Sequence, residues 1–236
     1  MKAIAIDTTN LVMGIAITDG DKVVGEMITN LKKNHSVRLM PAISQLMKEV
    51  DMEPGDLERV IVAHGPGSYT GVRIGVTTAK TMAWTLKIPI VGVSSLEVVA
   101  QNGRFFKGYI CPFFDARRGQ VYTGLYKSNG QDVVIQEKDQ LVQLDDWLEQ
   151  FKEMKEDVLF LSNDLTLHQE KIEAALGNRA ILPYLSMQNP RPSELAQLGV
   201  KKEPQSNTHE FVPQYLQLAE AEVKWLEAQK IKGEMK

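Results

Sequence analysis

The chain has 236 residues, 43% of them hydrophobic and 24% charged, with a formal net charge of −3. These values are those of a globular domain and exclude a disordered or low-complexity chain. The acidic balance argues against a protein that binds nucleic acid by itself. A single cysteine, Cys111, excludes an intramolecular disulfide and a cysteine-based zinc site. It lies in an apolar run, which points to a buried, inert thiol. Asp7 interrupts the first apolar run, so no signal peptide is expected, and no stretch has the 18 or so apolar residues of a membrane span. The expected compartment is the cytoplasm.

Three strands are expected first, at Lys2–Asp7, Leu11–Thr18 and Lys22–Thr29, joined by the short turns Thr8-Thr9-Asn10 and Asp19-Gly20-Asp21. Turns of this length make an antiparallel meander. A helix from about Val37 to Val50 follows, its core face formed by Leu39, Ile43, Leu46, Met47 and Val50. The run Val60–Ala63 suits a buried strand and leads into His64-Gly65-Pro66-Gly67-Ser68. Ser68 and Thr70 can cap the helix that runs on to Leu86. One face of that helix is Val72, Gly75, Val76, Ala79, Ala83 and Leu86; a second is Ile74, Thr78, Met82 and Thr85. A helix this apolar on most sides is buried or covered by a partner. A strand at Ile88–Val93 and a helix at Leu96–Gln101 complete this half.

The order β-β-β-α-β-α-β-α describes a ribonuclease H-like domain, the repeating half of the actin-like ATPase (ASKHA) fold. The expected fold is therefore α/β, with two such lobes, the second smaller and degenerate. The boundary is placed at Asn102-Gly103-Arg104, giving a first domain over 1–102 and a second lobe over 103–212. In the second lobe strands are expected at Gly108–Phe114, Gln120–Tyr126, Val133–Gln136 and Val158–Leu161. Helices are expected at Leu144–Met154, Leu167–Leu176 and Ser193–Leu198. From Glu137 to Glu173 this lobe has eleven acidic and four basic residues, an unsuitable surface for a phosphate backbone. Lys201–Thr208 reads as a polar linker, and a last helix over 213–232 is expected to return to the first domain.

Two readings of the glycine loop stay open. A glycine loop opening a helix can bind phosphate through free backbone N–H groups. Yet the lysine and the Ser/Thr of the P-loop pattern are missing after Gly71 and Gly75, and the glycines can equally serve close packing. Asp7, Thr8, Thr9, Gly65 and Gly67 are the candidate phosphate site, a relic rather than a working one. Asp7 is either a catalytic acid or metal-bridging group, or a turn-capping carboxylate; the last is favoured. Asp115 with Arg117 and Arg118 is either a phosphate clamp or a β-turn in which Asp115 bonds its own backbone; the turn is favoured.

The segments I-A-I-D-T-T at Ile4–Thr9, H-G-P-G-S-Y-T-G-V-R-I-G-V-T-T-A-K at His64–Lys80 and D-A-R-R-G-Q-V-Y at Asp115–Tyr122 resemble the TsaB, or YeaZ, family. So do P-S-E-L-A-Q-L at Pro192–Leu198 and P-Q-Y-L at Pro213–Leu216. The resemblance implies a subunit of the bacterial machinery that forms threonylcarbamoyladenosine on tRNA. It implies a non-catalytic partner of TsaD, with TsaE in a ternary complex, tRNA contacted only indirectly, and a homodimer when TsaD is absent. ATP or ADP is expected only in the complex. No catalytic residue and no metal are expected. Ser95 and Val99 stand where TsaD has its two metal-binding histidines, and serine and valine do not replace them. The expected partner interface is Arg38, Met40 and Ile43 on one helix, with Arg73, Thr77, Met82 and Trp84 on the glycine helix. Lys32-Lys33-Asn34-His35 resembles the family's pre-helix loop and reads as a solvated loop, with contact to the partner or tRNA as the alternative, and Gln217 stands where many relatives have arginine. The alternative is a small ATP-dependent phosphotransferase of the acetate and sugar kinase type. The D-T-T hairpin favours it; the absence of a Gly-Gly turn after Gly130 opposes it.

Overall fold

The structure, a computed structural model, describes residues 1–217. Two five-stranded sheets share one topology. In the first, β1 (Lys2–Asp7), β2 (Val12–Asp19) and β3 (Lys22–Asn30) form the antiparallel meander. Then α1 (His35–Glu49), β4 (Arg59–Ala63), α2 (Tyr69–Leu86), β5 (Ile90–Val93) and α3 (Ser95–Ala100) follow, with β4 parallel to β1 and β5 parallel to β4. The strand order is β3-β2-β1-β4-β5. The second sheet repeats it with β6 (Tyr109–Asp115), β7 (Gln120–Ser128), β8 (Val133–Gln143), β9 (Val158–Leu161) and β10 (Ala180–Ile181), ordered β8-β7-β6-β9-β10. Helices α4 (Leu144–Lys152) and α5 (Leu165–Leu176) take the places of α1 and α2. The topology is that of the actin-like fold, duplicated without a visible sequence repeat. The degeneracy of the second lobe lies in its last strand, only two residues long.

Side-chain size decides what covers each face of the first sheet. Strand residues alternate between faces. Ile4, Ile6, Val60 and Val62 join Leu39, Ile43 and Leu46 of α1 and Val72, Val76 and Ala79 of α2 in one core. The opposite face carries Ala3, Ala5, Ala16 and Ala63, and there α6 (Pro192–Lys201) lies close with Leu195 and Ala196. At Gly199 a Cβ would overlap the Ile61 side chain. This corrects the expected division of the chain. The helix near Ser193–Leu198 falls within 103–212 in sequence, yet it packs on β1, β2 and β4. The alanine face of the first sheet admits a helix at short range, and α6 is the one that fills it.

The second lobe has its own core, in which Trp147, Leu148 and Phe151 of α4 meet Phe113, Val158, Phe160 and Ile172. Cys111 lies there, 1% exposed; burial pushes its thiol up to about 11, as an inert buried thiol requires. Strand β8 runs seven residues past the expected Gln136, to Gln143, because β7 pairs along its whole length. Residues 213–217 of the expected last helix are not helical, and its remainder lies outside the described residues. Among the described residues no helix is long and apolar enough to cross a membrane.

Gly199→Ala tests the packing of α6. Alanine is the better helix former by about 1 kcal/mol, but overpacking against a β-branched side chain costs about 1–3 kcal/mol. The expected outcome in urea unfolding is a lower midpoint; an unchanged or higher one would mean that α6 stands further from the sheet.

Candidate functional site

The glycine loop connects β4 to α2 and closes on the turn after β1. Ser68 caps α2, its Oγ accepting from the Gly71 amide at 3.3 Å. The Ser68 amide donates to Thr9 O at 2.7 Å, and Thr8 Oγ1 donates to Gly71 O at 2.7 Å. A Cβ at Gly67 would overlap Thr9 O, one at Gly71 would overlap Thr8 O, and one at Gly75 would lie 2.6 Å from Thr8 Oγ1. The glycines therefore serve close backbone packing, the second of the two readings. Gly65 is closed from the other side: its φ is +116° and Gln214 O fills the space a side chain would need.

Asp7 is the turn-capping carboxylate. It is 1% exposed, and its Oδ1 accepts from the Thr9 amide at 2.9 Å and Thr9 Oγ1 at 2.7 Å. Its Oδ2 is buried and has no partner among the described residues. Burial raises its pKa above the ordinary value, against the two Thr9 bonds and the nearby His35. His35 is not the loop residue the sequence suggested. It is buried at the start of α1, with Nε2 2.8 Å from Asn10 O, while Asn34 caps the helix.

The outer faces of α1 and α2 form an exposed surface. Met40 and Trp84 are 51% and 60% exposed, and Val37 reaches 69%. Arg73 and Thr77 are exposed on α2, in line with Trp84. Three of the expected interface residues stand differently. Ile43 is 2% exposed, because it occupies the core face of α1, not its outer face. Met82 is half-buried against the same core. Arg38 is half-buried and donates from Nη2 to Thr29 Oγ1 at 2.8 Å, which turns it toward β3.

Sequence reasoning missed a third wall of this surface. Residues 208–215 run along α2 in the opposite direction. Lys80 Nζ donates to His209 O and Phe211 O at 2.7 and 3.1 Å. Phe211 is buried against Gly92 and His64. The Gln214 amide donates to His64 O at 2.7 Å. Tyr215 stacks on Tyr69 with ring centroids 5.0 Å apart, and its hydroxyl accepts from Arg73 Nε at 3.0 Å. His209 meets the edge of Trp84 at 5.7 Å. Between this segment and α2 lies a groove of about 890 Å³ lined by Arg73, Thr77, Trp84, His209, Val212 and Tyr215. The signal for it in the sequence was Phe211, just past the polar linker and before the P-Q-Y-L motif. Gln217 Oε1 then accepts from Tyr122 of the second lobe at 3.4 Å.

The Asp115 turn is a turn. Asp115 Oδ2 accepts from the Arg117 amide at 3.2 Å, with Arg117 and Arg118 both left-handed at φ +66° and +54°. Its Oδ1 pairs with the buried His168 Nε2 at 2.9 Å, a contact between residues 53 apart in sequence. Among the described residues no three His, Cys, Asp or Glu side chains are placed to hold a metal ion.

A family model described as "TsaD: tRNA N6-adenosine threonylcarbamoyltransferase" matches residues 22–225. The chain is 57% identical over 233 residues to the tRNA threonylcarbamoyladenosine biosynthesis protein TsaB of Bacillus subtilis, covering 98% of this chain and 100% of that one. It is 29% identical over 205 residues to the protein of the same name from Buchnera aphidicola, covering 82% and 97%. The crystal structure of YeaZ from Pseudomonas aeruginosa superposes with a TM-score of 0.75 over 91% of this chain and 99% of that one, at 20% identity, a likeness of fold.

Asp7→Asn keeps the acceptor for Thr9 and removes the buried titration. A carboxyl raised in the folded state contributes stability that is full below its unfolded pKa and is lost as pH rises through the folded one. The variant is therefore expected to lose less stability than the parent as pH rises from about 4 toward neutrality. Parallel urea curves for the two proteins across that interval would contradict it. Gly67→Ala is expected to lower the melting temperature by several degrees, since its Cβ meets a backbone oxygen that has no room to move.

Proposed function

The chain belongs to the TsaB family, and we propose that it acts in tRNA threonylcarbamoyladenosine biosynthesis as a non-catalytic scaffold that binds and activates TsaD. The observation that carries this reading is the contrast between a closed glycine loop and an open helical face. In the glycine loop Gly67 is packed against Thr9 O and Gly65 against Gln214 O, close packing that favours a structural role for the loop. Where a scaffold needs anchors, Val37, Met40, Tyr69 and Trp84 stand exposed beside Arg73. Aromatic, methionine and arginine anchors dominate protein interfaces. Arg73 lies 4.5 Å above the Tyr69 ring and is held by Tyr215, so its guanidinium is oriented before a partner arrives.

On this reading TsaD docks across α1 and α2, and docking shifts TsaD toward its active conformation through the difference in binding between its states. The same face pairs two copies of this chain when TsaD is absent. TsaE joins the TsaD complex, any ATP or ADP is bound only there, and tRNA is reached through TsaD. The compartment is the cytoplasm.

The test is a pull-down and titration of TsaD from the same source with Met40→Glu/Trp84→Glu. Both side chains are exposed, so circular dichroism is expected to remain that of the parent. Loss of one hot-spot anchor costs about 2 kcal/mol or more, so the pair is expected to weaken TsaD binding at least about 100-fold. Undiminished binding would place the interface elsewhere. A calorimetric ATP signal from the chain alone would overturn the scaffold reading.

A further inference from the structure

Helix α3 is shared by the two lobes. Val98 packs in the first lobe with Val91, Val93 and Leu195. Leu96, Val99 and Ala100 pack with Ile110, Phe114, Tyr126, Leu159 and Leu161 of the second sheet. The angle between the sheets is therefore set at α3. Its polar end is tied down by one carboxylate. Asp139 of β8 receives a hydrogen bond from Tyr126 Oη on Oδ1, at 2.6 Å, and one from Ser94 Oγ on Oδ2. Ser94 Oγ is also the cap of α3, accepting from the Leu96 and Glu97 amides at 3.2 Å each.

The second sheet is shaped to deliver that carboxylate. β7 and β8 slip register between Thr123 and Leu125 and again between Leu125 and Tyr126. At the slip stands Gly124, where a Cβ would lie 2.7 Å from Asp139 Oδ1. Bulges re-aim side chains, and here the re-aimed group is Asp139. Tyr126 is fully buried and burial pushes its phenol far above the ordinary range, so it remains a donor. Glu97, paired with Lys202 at 2.5 Å, and His64 surround the site. On the first-lobe side the next residue, Ser95, holds the glycine loop. Its amide donates to Gly65 O at 3.1 Å and its Oγ to Pro66 O at 2.7 Å. A continuous set of hydrogen bonds thus runs from β7 and β8 through α3 to the loop that opens α2.

We propose that Asp139 is a latch between the lobes, which through Ser94 and Ser95 fixes both the angle of the second sheet and the seating of the glycine loop beneath α2. The partner-facing surface of the first lobe is in this way coupled to the orientation of the second. The chain uses two serines at the start of α3 for this, one facing each lobe.

The test is amide hydrogen exchange on the full chain, comparing the parent with Asp139→Ala, Asp139→Asn and Tyr126→Phe. Asparagine can accept from one hydroxyl and donate to the other, so Asp139→Asn is expected to exchange as the parent does. Asp139→Ala is expected to speed exchange at least about 10-fold in residues 95–100, and also across the gap in residues 64–72, while α4 and α5 stay unchanged. Tyr126→Phe keeps the ring in the interlobe core and is expected to give the same pattern at about 3-fold. It also preserves the test if the alanine variant does not fold. The proposal is overturned by faster exchange confined to β7 and β8, by a uniform rise that includes α4 and α5, or by asparagine behaving as alanine does. Titration of TsaD in parallel keeps the two conclusions apart. A parent chain that does not bind TsaD removes the function proposed above, and the exchange pattern still decides the latch.

Discussion

The structure depends on the contact between two backbones at the C-terminal ends of β1 and β4. The turn Asp7-Thr8-Thr9 and the loop Gly65-Pro66-Gly67-Ser68 approach until carbonyl oxygens fill the places of missing side chains. Three things follow from that proximity. Asp7 is enclosed and becomes a structural carboxylate with a raised pKa. Helix α2 is capped by a serine whose amide is fixed by Thr9, so the helix leaves the sheet in one direction only. And the loop, packed closely at Gly65 and Gly67, is a support for other segments.

Three segments use that support. The 208–215 segment bonds to His64 O and lies over Gly65 on its way along α2. Ser95 bonds to Gly65 O and Pro66 O, which attaches α3. Through α3 the second sheet is attached in turn, by apolar contact with Leu96 and Val99 and by the polar contact of Ser94 with Asp139. The glycine loop thus becomes the junction of the outer helical face, the C-terminal segment and the second lobe. A junction of this kind costs little in stability where glycine supplies the approach. It tolerates little substitution, since each added Cβ meets backbone.

The two faces of the first sheet show how a strand sequence chooses its neighbours. Isoleucine and valine on one side fill the wide space beneath α1 and α2, and on the other Ala3, Ala5, Ala16 and Ala63, set among Ile61, Val91 and Val93, let α6 come near. The second lobe reaches the same topology with different means. Aromatic residues fill its core, and a register slip at Gly124 turns Asp139 inward. Identical strand order with dissimilar packing explains why the duplication is plain in the topology and invisible in the sequence.

The sequence by itself determined the order and type of the elements of the first lobe and most of those of the second, the meander turns, the serine cap of α2, the buried face of α2 and the family. Each of these is written in residues a few positions apart: periodicity, a capping hydroxyl, a glycine that breaks a strand. The tertiary structure alone decided what lies far apart in the chain. It placed α6 on the first sheet, buried Ile43, drew His35 against Asn10 and His168 against Asp115, laid 208–215 along α2, and joined Ser94 to Asp139. It also showed that the glycines of the loop serve close packing, because Thr9 O and Gln214 O arrive there. Local propensity carries no information about such arrivals. They depend on which surfaces remain to be covered once the sheets have formed.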